Sequence, residues 1–261
     1  MSKLQQTWAA GESTLGLWLT SNSAVVAESV VDLGFDYVNI DMQHGFSDYA
    51  DVVDMMRAMV PAAASTITCR VPWNEPGVIG RVLDAGAMGV IIPMVNTVEQ
   101  AERAVSACRY APAGARSFGP VRAARVNGPE YHATANERVA CIPMIETVEA
   151  LSNLDAILSV PGIDAVYVGP ADLSLTLGLA PQGDHDDASF NAALAKVVSA
   201  CNRRGIVAGI HANPQIAAKR LEQGFRMVTV TSDLQAMMAG ASDALRSGRP
   251  ASDTPGGESL Y

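Results

Sequence analysis

The chain has 261 residues, 49% hydrophobic and 17% charged, and its mean hydropathy is slightly positive, so it can bury a full core and suits one α/β barrel at least as well as two small domains. A formal net charge of -9 argues against a nucleic-acid or anionic-membrane partner, because both need a basic surface. No apolar run approaches the roughly 18–20 residues of a bilayer span, and the N-terminus lacks the apolar segment of a signal peptide, so the expected location is cytoplasmic.

Strand-like and helix-like runs alternate from start to finish. Strands are predicted at 15–19, 37–41, 66–70, 89–93, 140–145, 165–169, 206–211 and 227–231. Most are continuous apolar runs, as expected of parallel strands covered on both faces. Between them helices are predicted at 23–33, 48–60, 76–84, 97–109, 147–158, 188–204, 214–223 and 234–246. Pro76 and Pro214 open two of them, and Gly34, Gly86, Gly205 and Gly224 close four. Eight strands, each followed by a helix, predict a single-domain (β/α)8 TIM barrel over residues 1–248. An open doubly wound sheet is the alternative, weakened because no G-x-G-x-x-G follows the first strand.

Two segments interrupt the alternation. Residues 110–136 are too long for a simple connection and are expected to form a functional loop over the rim, and 178–187 form a second lid-like insertion. Residues 249–261 have the composition of a disordered tail. Cys69, Cys108, Cys141 and Cys201 form no C-x-x-C and read as buried thiols in a reducing compartment.

In such barrels chemistry sits at the C-terminal ends of the strands. Four polar groups end strands here: Asp41 with His44 just beyond it, Arg70, Glu146, and Asp172 after Gly169. Each has a structural reading. Asp41 could cap the next helix, His44 could pack in a turn, Arg70 could snorkel off the edge, and Glu146 and Asp172 could cap helices. Together they describe oxygen ligands for a hard divalent cation, an imidazole that titrates near neutrality, and a guanidinium able to fork onto a carboxylate. Asp84 ends a helix, where an acid opposes the dipole, so a specific partner is expected. His132 and His185 read as loop residues, and His211 ends a strand with no evident partner. The methionines, including Met55, Met56, Met59, Met237 and Met238, read as helix core filler. Only three lysines occur, Lys3 at the terminus and Lys196 and Lys219 within helices, so a lysine-imine route is disfavoured.

Read in order, Gly16-Leu-Trp-Leu, Ile40-Asp-Met-Gln-His44, Arg70-Val-Pro-Trp-Asn, Leu83-Asp-Ala-Gly-Ala, Ile92-Pro-Met-Val, Ile145-Glu-Thr and Val168-Gly-Pro-Ala-Asp-Leu-Ser resemble the HpcH/HpaI aldolase family from about residue 15 to about 245. The resemblance implies a (β/α)8 metal-dependent aldolase that makes or cleaves a C–C bond between pyruvate, or a close 2-oxo acid such as hydroxypyruvate, and an aldehyde by way of an enolate. It implies Glu146 and Asp172 as ligands of Mg2+, Mn2+ or Co2+, His44 as acid–base residue in a dyad with Asp84, and Asp41 ordering the pocket. Arg70 would grip the oxo acid, with Ala171 and Trp18 also on the substrate. A homo-oligomer, trimer or hexamer, is implied too, with the apolar face of the last helix covered by a neighbour. The chain departs from the pattern at Met144, where some members carry glutamine, and at Met42-Gln43. Other enolate lyases or decarboxylases, acting on oxaloacetate or an acyl-CoA, are the enzymatic alternative, and a non-catalytic metabolite-binding barrel is the alternative outside enzymes.

Overall fold

The computed structural model describes residues 1–59 and 65–249. In chain order the elements are α1 (Lys3–Ala9), β1 (Thr14–Leu19), α2 (Ala24–Val30), β2 (Tyr37–Asp41), α3 (Tyr49–Met59), β3 (Thr66–Arg70), α4 (Pro76–Ala85), β4 (Gly89–Ile92), α5 (Val98–Cys108), α6 (Val121–Asn127) and α7 (Tyr131–Arg138). They continue with β5 (Ala140–Pro143), α8 (Val148–Ser152), α9 (Leu154–Ile157), β6 (Ala165–Val168), α10 (Pro170–Thr176), α11 (Ala188–Arg204), β7 (Val207–His211), α12 (Ala217–Glu222), β8 (Met227–Ser232) and α13 (Asp233–Gly248). All ladders are parallel and run β5-β4-β3-β2-β1-β8-β7-β6, and a bridge between Met144 and Tyr167 joins the two ends. The predicted eight-stranded (β/α)8 barrel is the fold observed.

The period of two along each strand sorts the core into two shells. Val38, Ile40, Cys69, Val166, Val168, Ala208 and Ile210 point outward into a large apolar cluster with the helices. Tyr37, Trp18, Ile142, Met144, Tyr167 and Val207 belong to a second cluster that fills the barrel itself. Gly16 makes room for this filling, since a Cβ there would occupy the Tyr37 ring. The interior hydroxyls are paired: Thr229 Oγ1 bonds the hydroxyls of Tyr37 (2.9 Å) and Tyr167 (2.5 Å), and Thr68 donates to Asn39 Oδ1 (2.9 Å). The hydroxyls thus avoid the cost of unpaired burial.

Several expectations need correction. The N-terminal segment forms α1, opened by a reciprocal capping box between Ser2 and Gln5. Leu4 and Trp8 of α1 join the barrel-filling cluster, and Trp8 Nε1 donates to Thr14 Oγ1 at 3.0 Å, so this helix closes the strand-start end. The helix predicted at 147–158 breaks at Asn153 into α8 and α9. Residues 110–136 are not an open loop over the rim. They carry α6 and most of α7, Arg122 donates to the carbonyls of Ala85 and Met56, and Arg122, Val126 and Asn127 share a groove with Thr66 and Ile67 at the strand starts. Met55, Met56 and Met59 are core, but Met237 and Met238 on α13 are 61% and 67% exposed. The four cysteines are free and buried. The expected tail lies outside the described residues, except Arg249, which caps α13. Among the described residues no helix is long and apolar enough to cross a membrane.

Candidate active site

The same period of two that builds the barrel filling aims the strand-end residues at its mouth. Trp18 is in phase with Gly16, Asp41 with Tyr37 and Asn39, Arg70 with Thr66 and Thr68, and His211 with Val207 and Gly209. Glu146 continues the inward phase of Ile142 and Met144. Trp18, Asp41, Arg70 and His211 line a cavity of about 410 Å3 together with His44, Met144, Tyr167, Gly169, Ala171 and Asp172, with Gly183, Asn213, Ile216 and Gln235 on the outer rim, and Glu146 lies behind Gly169.

Asp41 and Arg70 are register partners on β2 and β3, so their side chains meet. Arg70 donates from Nε to Asp41 Oδ1 (2.8 Å) and from Nη2 to Oδ2 (2.6 Å), a bidentate pair with both side chains buried. The guanidinium also lies 4.4 Å over the Trp18 ring. Its Nη1 bonds no described residue and is the donor left for a ligand. Asp41 Oδ1 further accepts from the backbone N–H groups of Gln43 (3.0 Å) and His44 (3.4 Å) and so fixes the loop that carries the imidazole. Gly45 allows the bend, because a Cβ there would collide with the Asp41 carbonyl.

Glu146 is 1% exposed. It does not cap α8, whose cap is Thr147. Its Oε1 accepts the Met94 N–H at 2.7 Å, and Met94 presents that N–H from a left-handed conformation, φ 55°, rare outside glycine. Its Oε2 is buried without a partner. Burial pushes the carboxyl up to about 7, and the Asp172 charge adds to the rise against the opposing pull of the Met94 N–H and Arg70. Gly169 gives the carboxylate its space, since a Cβ there would strike Oε2. Asp172 lies in the first turn of α10 and makes no capping bond. A buried carboxylate with one unsatisfied oxygen beside a second carboxylate is a donor set that a hard cation would satisfy. Among the described residues no group of three or more His, Cys, Asp or Glu converges, so a cation here would rest on two protein ligands and keep positions for substrate or water.

His44 lines the cavity with its ring exposed, and no described residue bonds the imidazole. Its expected partner is elsewhere: Asp84 accepts from Arg116 Nη2 at 2.7 Å and is not among the cavity-lining residues. Within this chain Asp84 thus forms an ion pair with Arg116 and no hydrogen bond with His44. This pairing answers the helix-end acid, which needed a cation to offset the dipole. Ala171 lies in the first turn of α10, where backbone N–H groups lack intrahelical acceptors. The insertion 178–187 reaches the rim through Gly183, and Asp184 beside it is held by Lys219 and Arg220 at 2.6 and 2.7 Å. His185 is not simply solvated but shares a 3.0 Å hydrogen bond with Ser174, and His132 sits on α7 against Phe118. Reading of the sequence missed the Met94 N–H and the contact of His211 with Trp18, ring centroids 4.9 Å apart. Strand-end position alone flagged His211.

Comparison with known proteins places the chain among aldolases. The HpcH/HpaI aldolase/citrate lyase family model matches residues 14–239. The hydroxypyruvate/pyruvate aldolase of Rhizorhabdus wittichii is 40% identical, covering 95% of this chain and 99% of its own. The 4-hydroxy-2-oxo-heptane-1,7-dioate aldolase of Salmonella paratyphi C is 38% identical, covering 91% and 90%. A crystal structure of an HpcH/HpaI aldolase/citrate lyase family protein from Burkholderia cenocepacia superposes with a TM-score of 0.89 at 34% identity, covering 96% of this chain and all of that one. With the family model matching residues 14–239 and a relative 40% identical over 95% of this chain, the chain belongs to the HpcH/HpaI aldolase/citrate lyase family.

Proposed function

We propose that this protein is a carbon–carbon lyase, an aldolase joining or cleaving pyruvate or hydroxypyruvate and an aldehyde, with Mg2+, Mn2+ or Co2+ held by Glu146 and Asp172. The observation that carries the reading is the buried, unpartnered Oε2 of Glu146, packed against Gly169, which lines the cavity together with Asp172, Arg70 and His44. A bound divalent cation would supply Lewis-acid polarisation of the keto and carboxylate oxygens of a 2-oxo acid. Arg70, fixed by Asp41 and Trp18, directs Nη1 at the oxygen where negative charge grows in the enolate, at no cost of reorganisation. The Ala171 N–H meets the donor carboxylate. In cleavage His44 accepts the hydroxyl proton of the aldol as the C–C bond breaks, and a proton delivered to the donor carbon completes the 2-oxo acid. Binding alone would need no such proton carrier.

A lysine imine is not available on this geometry. Lys196 donates to the Leu151 carbonyl (2.6 Å), Lys219 to Asp184, and Lys3 lines the groove at the opposite end of the barrel. Exhaustive chelation is expected to abolish activity reversibly, and Mg2+, Mn2+ or Co2+ should restore it to differing degrees, since oxygen ligands select weakly among them. Borohydride with pyruvate should trap no adduct. A trapped lysine, or full activity after chelation, overturns the reading.

The assembly is proposed to be a homo-oligomer, a trimer or hexamer, in which a neighbour covers α13. Met237, Met238 and Leu245 leave 58–67% of their surface exposed on this helix, an apolar stripe that association would bury. Light scattering at micromolar concentration should give a multiple of 27.3 kDa, and a monomer mass refutes it. The buried free thiols fit a reducing cytoplasm.

A further inference from the structure

Resting on the aldolase reading, we propose that His211 recognises a hydroxyl on C3 of the donor, so that the site favours a 3-hydroxylated 2-oxo acid over pyruvate. Arg70, Asp41, His44, Asp172 and Ala171 line the cavity and, on the aldolase reading, take the donor's carboxylate and keto oxygen. What remains of the donor is C3, which this assignment sets against Trp18, Tyr167, Met144 and His211, all four of which line the same cavity. Among these four the other polar groups are already committed or shut away. The Tyr167 hydroxyl is bonded to Thr229 at 2.5 Å, and Trp18 Nε1 is buried out of reach. His211 differs from both. Its ring stands edge-on to Trp18, at 82° between planes, which fixes its orientation, while no described residue bonds either ring nitrogen.

Its chemistry matches a hydroxyl. Burial, helped by the Arg70 charge, pushes the imidazole down to about 4 against a weaker opposing effect of Asp41, so near neutral pH it is uncharged. A neutral imidazole offers one N–H donor and one lone pair. A hydroxyl offers the same two functions. A methyl group offers neither, and would leave the ring nitrogens unpaired beside it. Sites built to hydrogen-bond a substrate hydroxyl discriminate strongly against the analogue that lacks it.

The test measures kcat/KM for hydroxypyruvate and for pyruvate with propanal as common acceptor, in the parent and in the His211→Phe and His211→Gln variants. Parent preference for hydroxypyruvate is expected, and His211→Phe should lower the hydroxypyruvate-to-pyruvate ratio by about tenfold, the usual order for a lost hydrogen bond of this kind. His211→Gln, which keeps a donor and an acceptor, should retain more of the ratio than the phenylalanine variant. In the unsubstituted protein the His211 ring 15N resonances, assigned with either variant, should move on adding hydroxypyruvate more than on adding pyruvate. Equal ratios in the parent and both variants overturn the assignment, and so does a change confined to the preference between propanal and glyceraldehyde at fixed donor. If the parent turns over neither donor with added divalent cation, the aldolase reading fails and takes this one with it. If both donors react and only the ratio is unmoved, the aldolase reading stands and His211 alone is dismissed.

Discussion

His44→Ala is expected to lower turnover by about 10²–10⁴-fold, the usual worth of a positioned acid–base group, with the fold intact. Only the backbone of His44 is tied to the structure, through its N–H to Asp41 Oδ1 at 3.4 Å, while the imidazole bonds no described residue. Truncation therefore removes no packing and strands no buried polar group, the two usual sources of large destabilisation. Circular dichroism and melting temperature should match the parent, and retro-aldol rates should collapse across the neutral range. A folded variant that cleaves substrate at the parental rate removes His44 from the mechanism.

The second large effect runs in opposite directions for activity and stability. Glu146→Gln keeps the shape and removes a charge on which cation binding depends, so turnover should fall by about 10²–10³-fold. Stability without added cation should instead rise at alkaline pH. The folded carboxyl holds its proton up to about 7, against an ordinary 4.5 in the unfolded chain. Between those values the unfolded state has lost a proton that the folded state keeps, so parent stability falls as pH rises through the window, by up to about 3 kcal/mol once pH exceeds 7. Glutamine stands in for the protonated acid and does not pass through this transition. At pH 8, without cation, the variant should melt several degrees above the parent, while Mg2+ or Mn2+ raises the parent's melting temperature and leaves the variant's nearly unmoved. A variant with parental turnover and an undiminished cation response sinks the assignment of Glu146.

Most of the site was legible because strands carry a period of two. Knowing where β2 and β3 end is enough to send Asp41 and Arg70 inward together, and the apolar run before Glu146 does the same for that carboxylate. What escaped depends on relations that periodicity does not encode. The partner of Asp84 is an arginine on a distant segment whose path no local pattern sets. Helix α1 is too short to show a helical stripe, although Ser2 and Gln5 carried its capping signal. The Met94 N–H reaches Glu146 only through a left-handed backbone at a non-glycine residue, which composition does not announce. His211 gains meaning from Trp18, on a strand from the other end of the chain.

The paired hydroxyls inside the barrel bear on how such an enzyme can change. Thr229 ties Tyr37 and Tyr167 together directly beneath the reacting groups, so β2, β8 and β6 are cross-braced at one depth. A substitution at that level disturbs three strands at once and offers little chance of a new specificity without loss of the scaffold. Gly183, Asn213, Ile216 and Gln235 stand above the brace on the rim. Variation there can reshape the space for the aldehyde while the enolate machinery stays in register. Divergence of acceptor range within this architecture is thus expected to accumulate above Thr229, with the layer below it held nearly constant.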